Sequence, residues 1–142
     1  MSTTRAALTD ADIRTLVKGA TPDERAVAAQ KLCSTIDSST LTREERERAH
    51  DILRVMSHDA AELVRRAVAV TLKNSSIVPR DVALRLARDI ESVSLPILTY
   101  SPAFTDEDLA QIIRLGDPVR QVAVAKRPRL SSAVTEVIAE VG

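Results

Sequence analysis

The chain has almost no aromatic residues: Tyr100 and Phe104 are all it carries, and there is no Trp. A core built without them must rest on many aliphatic contacts, each buried side chain contributing roughly 1.5–3 kcal/mol. Glycine is as scarce, three in 142 residues, which leaves little for tight hairpin turns or a phosphate-wrapping loop. One cysteine, Cys33, excludes an internal disulfide and with it the small stapled secreted scaffolds. An excess of charge of either sign is also missing. Lys and Arg number 20, Asp and Glu number 20, and the balance holds in both halves, 11 against 11 over residues 1–71 and 9 against 9 after them. No apolar run approaches the roughly 20 residues that span a bilayer. The first eight residues lack the apolar stretch of a signal peptide. The expectation is a cytoplasmic protein with no membrane insertion.

What is abundant is alanine, 20 residues, followed by leucine with 14. Alanine gives up no side-chain entropy in a helix, and Leu, Arg, Glu and Lys follow it closely. The fold class expected is all-α, one domain over residues 1–142, with residues 1–8 as a flexible tail. Small core residues let helices approach closely, which favours many short helices over a few long ones.

Start and stop signals divide the chain into about nine helices. Thr9 with Asp12 caps Asp10–Lys18, and Gly19 stops it. Thr21-Pro22-Asp23-Glu24 joins an N-cap, a first-turn proline and acids ahead of Val27, Leu32 and Ile36. Thr42 with Glu45 opens a helix over Arg43 to about Ser57, and Asp59 opens the next, to about Lys73. Pro79 sits where a first-turn proline would, and Asp89 caps a short helix that Pro96 should kink. Thr105 with Asp108 opens a helix that Gly116 ends. Asp117-Pro118 starts another, and Ser131 or Ser132 starts the last. The connections are short, so consecutive helices are expected to pack antiparallel.

Three stretches resemble one another: Thr21 to Ala28, Asp59 to Ala69, and Gly116 to Ala125. Each has an acidic or Asp-Pro start, then an arginine, then small and β-branched residues. Their arginines, Arg25, Arg65 and Arg120, lie 40 and 55 residues apart, and a degenerate copy at Asp89 to Leu95, aligned on Ser94, divides the second gap into 29 and 26. Spacing of this order, in helix pairs, predicts a HEAT-like or armadillo-like α-solenoid of antiparallel hairpins. The stretch RDIESVSLPILTYSPAFTDEDL at 88–109 with RQVAVAKRPRLSSAV at 120–134 resembles an uncharacterised alphaproteobacterial family, a domain of unknown function with HEAT-like helices. Tyr100 and Lys126 depart from its pattern. That resemblance implies the helical-repeat fold and a bacterial cytosol, and it implies no catalytic residue.

Chemistry has few places to sit. The two histidines, His50 and His58, stand eight residues apart, about 12 Å along a helix, too far for one ion. Cys33 lies between Leu32 and Ile36 and reads as a small buried hydrophobe. Acids such as Glu44, Glu45, Asp106 and Asp108 stand where helix first turns favour them. The expectation is a non-enzyme with no catalytic residues, no metal and no cofactor. Arg114-Leu115-Gly116-Asp117 matches a short Arg-x-x-Asp pattern of some cyclic-dinucleotide sites, but Gly116 and Asp117 are already explained as stop and cap.

The suggestive local charge is basic. Arg120, Lys126, Arg127 and Arg129 lie in a stretch with no acid between Pro118 and Thr135, and Arg65 and Arg66 belong to a looser second set with Lys73, Arg80, Arg85 and Arg88. Arg65, Arg66, Arg120, Lys126, Arg127 and Arg129 are therefore the candidate binding face. The opposing reading is structural. Repeat arginines pair with acids of the next repeat, and Arg127 and Arg129 serve a helix end. Neutral charge and missing aromatics disfavour nucleic acid. The function expected is a protein-binding adaptor or scaffold whose partner is another protein. The alternatives are a nucleic-acid-binding module or a receptor for a small ligand or signalling nucleotide, and self-association into a homo-oligomer is open.

Overall fold

A computed structural model describes residues 20–141. They form eight helices and, among the described residues, no strand: α1 Pro22–Ser38, α2 Arg43–Ser57, α3 Glu62–Thr71, α4 Arg80–Ala87, α5 Glu91–Tyr100, α6 Asp106–Arg114, α7 Pro118–Ala125 and α8 Ser132–Val141. Eight helices stand against the nine or so expected, because the predicted helix Asp10–Lys18, with its stop at Gly19, lies outside the described residues.

Local signals set most of the starts. Thr21 accepts the Glu24 backbone N–H ahead of Pro22. Thr42 with Glu45, and Thr105 with Asp108, form reciprocal capping boxes in which side chain and backbone satisfy two orphan donors at once. Gly116 takes φ +86° after α6, a conformation that glycine adopts without strain, and Asp117 then caps α7 by accepting the Val119 N–H.

Three expected starts differ. Pro79 is the N-cap of α4 rather than its first residue, and Asp59 and Asp89 are not the caps of α3 and α5. Ala61, Pro79 and Ile90 occupy the cap positions and offer no side-chain cap bond. The two aspartates stand just outside their helices because guanidinium groups from other helices claim them. α5 continues through Pro96.

The packing is next-but-one. α1 packs on α3, α3 on α5, and α5 on α7; α2 packs on α4, and α6 on α8; α2 with α3, α4 with α5, and α6 with α7 join the two sets. A single aliphatic core runs between them, from Leu32, Ile36 and Leu53 through Leu72 and Leu86 to Ile97, Leu98, Ile113, Val124 and Val134. Helices of 8–10 residues are marginal alone, so this burial holds most of them.

Charge pairs mark the same steps. Arg25 on α1 binds Asp59, ahead of α3, through two hydrogen bonds of 3.1 Å. Arg65 on α3 binds Asp89, ahead of α5, at 2.7 and 3.1 Å. Arg54 at the end of α2 binds Asp81 on α4, and Arg80 on α4 binds Asp108 on α6. All four are two-pronged guanidinium–carboxylate contacts, which fix direction as well as distance. The Arg54 pair is exposed and contributes little, whereas the Arg65–Asp89 pair is sheltered, its side chains 14% and 4% accessible.

The repeat arginines also reach backward. Arg25 donates to Ala20 O and Arg65 to Asp59 O, each in the loop before its own helix. Arg25, Arg65 and Ser94 are each the fourth residue of their helix. In α7 the fourth residue is Gln121, not Arg120, and Gln121 donates farther back, to Ile113 O in the last turn of α6 at 2.8 Å. Arg120, one place earlier, binds Asp117 and reaches across to Asp89 O. That carbonyl corresponds to the one Arg65 binds before α3. Arg120 thus supplies from α7 the contact that Ser94, buried with its Oγ unpaired, cannot make from α5.

The pairs hold their acids ionised. The Arg80 hydrogen bonds pull Asp108 far below the usual carboxylate range against opposing burial, with help from the Thr105 N–H. Arg54 lowers the pKa of Asp81, again against opposing burial. For Asp89 the largest effect is burial, which pushes its pKa up, but Arg65, the Ile90 N–H and the charge of Arg85 together outweigh it and leave the pKa lowered. A depressed folded-state pKa means stability that is complete above the unfolded value, about 3.9, and lost as pH falls through the folded one. The denaturant midpoint should therefore hold steady from neutrality to about pH 5 and decline below about pH 4. Asp108→Asn should start lower at neutral pH and lose less on acidification. Asp89→Ala, which strands Arg65, should destabilise the fold by roughly 3 kcal/mol, read by urea unfolding.

Candidate functional site

The six basic candidates separate into two groups. Arg65 and Arg120 are committed to the contacts between helices. Arg127 donates to Leu98 O and Ser101 O, both at 2.6 Å, at the C-terminal end of α5, and lies over the Phe104 ring at 5.9 Å. A cation on the last carbonyls of a helix satisfies orphan acceptors and meets the negative end of the dipole. Burial lowers the Arg127 pKa, and its Nε–H is left without a partner. Arg66, Lys126 and Arg129 are exposed and make no ion pair with any described residue. The wider basic set divides the same way. Arg80 and Arg85 bind Asp108 and Asp89, Lys73 sits 5.0 Å over Tyr100, and Arg88 is left exposed.

The concavity with an apolar lining lies elsewhere, between α4 and α6. It is a groove of about 690 Å³. Leu84, Ala87 and Ile112 form its floor, and Leu115, 78% exposed, stands on its lip. The Arg80–Asp108 pair closes one end, and Arg88 with the Arg120–Asp117 pair closes the other. The Arg80–Asp108 pair joins α4 to α6, whereas the Arg120–Asp117 pair lies within the start of α7. The small side chain of Ala87 leaves the middle unfilled. Exposed leucine beside a preformed apolar trough with fixed polar ends suits a partner's side chains.

Sequence reasoning placed Arg120 near a binding surface but missed the groove. Ala87 falls at an ordinary apolar position of its helix, Leu84 stands outside that apolar set, and Leu115 falls between the helix and its Gly116 stop. The one available signal was Leu115-Gly116. A large apolar residue just before a left-handed glycine stop is carried past the last turn, away from its own helix's core face.

Of the three acids that line the groove, Asp108 and Asp117 are bound to arginine and Glu107 is exposed. Burial, reinforced by Asp37, pushes the Cys33 thiol up to about 12, so it stays protonated at neutral pH. His58 is the C-cap of α2, its Nδ1 3.0 Å from Arg54 O. Among the described residues no three His, Cys, Asp or Glu side chains are grouped to hold a metal ion, and no helix is long and apolar enough to cross a membrane.

Arg127→Ala should lower stability by roughly 1.5–3 kcal/mol, since it removes two charge-assisted bonds from a helix end, while Arg129→Ala two residues away should leave the unfolding midpoint unchanged. Thermal unfolding of the two variants side by side checks the division between structural and free cations.

No curated protein and no solved structure matches the chain. Residues 93–142, from α5 to the end, are similar to a family described as an uncharacterised protein conserved in bacteria (DUF2336).

Proposed function

We propose that this chain is a HEAT-like α-solenoid of the bacterial cytoplasm, acting as a non-enzymatic adaptor that binds another protein, with the α4–α6 groove as the docking site. The observation that carries the reading is the groove itself: an apolar floor, a leucine presented on the lip, and ends fixed by ion pairs. The next-but-one packing and the recurring arginine–aspartate pairs support the repeat part of the reading. The similarity of the C-terminal third to a bacterial family supports the bacterial part. The groove's charges balance, so its specificity comes from shape and apolar fit rather than from a field.

The test is affinity capture from bacterial lysate with the wild-type chain and with Leu115→Glu, with and without nuclease. The exposed position of Leu115 leaves the fold intact in that variant. Protein partners retained by wild type after nuclease and lost by Leu115→Glu are the expected result. Nucleic acid as the common captured species, released by nuclease and lost on replacing Arg66, Lys126 and Arg129, would replace the adaptor reading with the nucleic-acid one.

A further inference from the structure

A second cavity, of about 490 Å³, lies where the end of α1, the first half of α2 and the turn between α3 and α4 meet. That volume suits a small molecule. The sequence of α2 explains why the space is open. Its buried stripe runs through Ala49, Ile52, Leu53 and Met56. One turn earlier the same face carries Arg46, three residues before Ala49 and seven before Leu53, and His50 follows Arg46 by four. A face that is apolar in its second half is therefore polar in its first, and aliphatic packing does not fill the space beside it. Apolar surface remains in the wall, from buried Ile36 near the end of α1 and half-buried Ile77 before α4.

The cavity holds opposite charges that do not meet. Arg46 and Asp37 both line it, and neither forms an ion pair with a described residue. In the α4–α6 groove, by contrast, the lining arginines and aspartates close on each other, Arg80 on Asp108 and Arg120 on Asp117. The side chains of His50, Asn74 and Ser76 also line the cavity and bond to no described residue. Ser39 and Ser75 are already tied, one to Thr35 O and the other to the Ile77 N–H. Asp37 stands in the last turn of α1, where helix carbonyls also favour a cation and no basic side chain supplies one. A simple anion on Arg46 would leave Asp37 unanswered, and a simple cation on Asp37 would leave Arg46 so. A molecule that carries both charges answers both.

We propose that this cavity binds a small aliphatic zwitterion, a free amino acid or a dipeptide. Its carboxylate lies on Arg46 and His50, its ammonium on Asp37 and the end of α1, and its aliphatic part against Ile36 and Ile77. Asn74 and Ser76 supply donors and acceptors for the remaining polar atoms. The cavity shares no residue with the α4–α6 groove, and the inference stands whether or not the groove is used.

The experiment is titration of the full chain, followed by calorimetry and amide NMR, with leucine and with dileucine. The controls are isocaproate, which is leucine without its ammonium, and isopentylamine, which is leucine without its carboxylate. Saturable binding of at least one zwitterion is expected, with amide shifts centred on Asp37, Arg46, His50 and Ser76, and the tighter of the two sets the length of the ligand. Isocaproate and isopentylamine should each bind about tenfold more weakly, the loss of one charge-assisted contact. Arg46→Gln should weaken the zwitterion about tenfold and leave isopentylamine unchanged, whereas Asp37→Asn should weaken it as much and leave isocaproate unchanged. Leu115→Glu should bind it as wild type does. Arg46 and Asp37 are exposed, and far-UV circular dichroism on each variant confirms that the helices persist. No saturable binding of either zwitterion by the folded chain would overturn the inference. So would binding that both substitutions leave unchanged. The same holds if isocaproate, isopentylamine or inorganic phosphate binds as tightly as the zwitterion, which would mark a site for a single charge.

Discussion

The sheltered bond between Arg65 and Asp89 is the constraint around which the rest is arranged. Helices of 8–10 residues with aliphatic side chains have little to specify which neighbour they pack on, since Val, Leu and Ala surfaces are interchangeable within wide limits. A two-pronged guanidinium–carboxylate contact is not interchangeable. It fixes distance, direction and register at once, and a misplaced helix leaves a charge unpaired away from water. Arg25 with Asp59, Arg54 with Asp81 and Arg80 with Asp108 apply the same rule at other next-but-one steps. The apolar core supplies the driving force, and the arginines supply the addresses.

This explains why a composition with almost no aromatics still reads as an ordered fold, and it bears on the surfaces. A guanidinium used for register is removed from the pool available to ligands. Arg65, Arg80, Arg120 and Arg127 are all spent internally, so a count of basic residues overstates the basic surface. What is left is a groove with balanced charge between α4 and α6 and a scatter of exposed cations, Arg66, Arg88, Lys126 and Arg129.

Much of this was legible in the sequence, and the gaps have physical causes. The helices over residues 20–141 follow from capping boxes at Thr42 and Thr105, the Thr21-Pro22 and Asp117-Pro118 starts, and the Gly116 stop, all of which act within four residues. Asp59 and Asp89 were misread as caps because an aspartate before a helix satisfies either role, and only a partner from another helix decides between them. Aligning Arg120 with Arg25 and Arg65 missed the register by one place. The chain shares a basic residue at that point, but the fourth place of α7 belongs to Gln121. The groove was not legible, since it depends on how two helices sit beside one another, and spacing along the chain carries no such information.

Asp89 gathers more than its share of these contacts. Its carboxylate accepts from Arg65 on α3 and Arg85 on α4, its carbonyl accepts from Arg120 on α7, and it leads directly into α5. Arrays of small helical units ordinarily open from their ends one unit at a time, because each touches only its neighbours. One residue that joins four helices works against such unzipping and welds the middle of the chain into a single cooperative block. Slow amide exchange would then extend from α3 to α7 as a plateau rather than as a gradient, with α1, α2 and α8 left as the segments that open first.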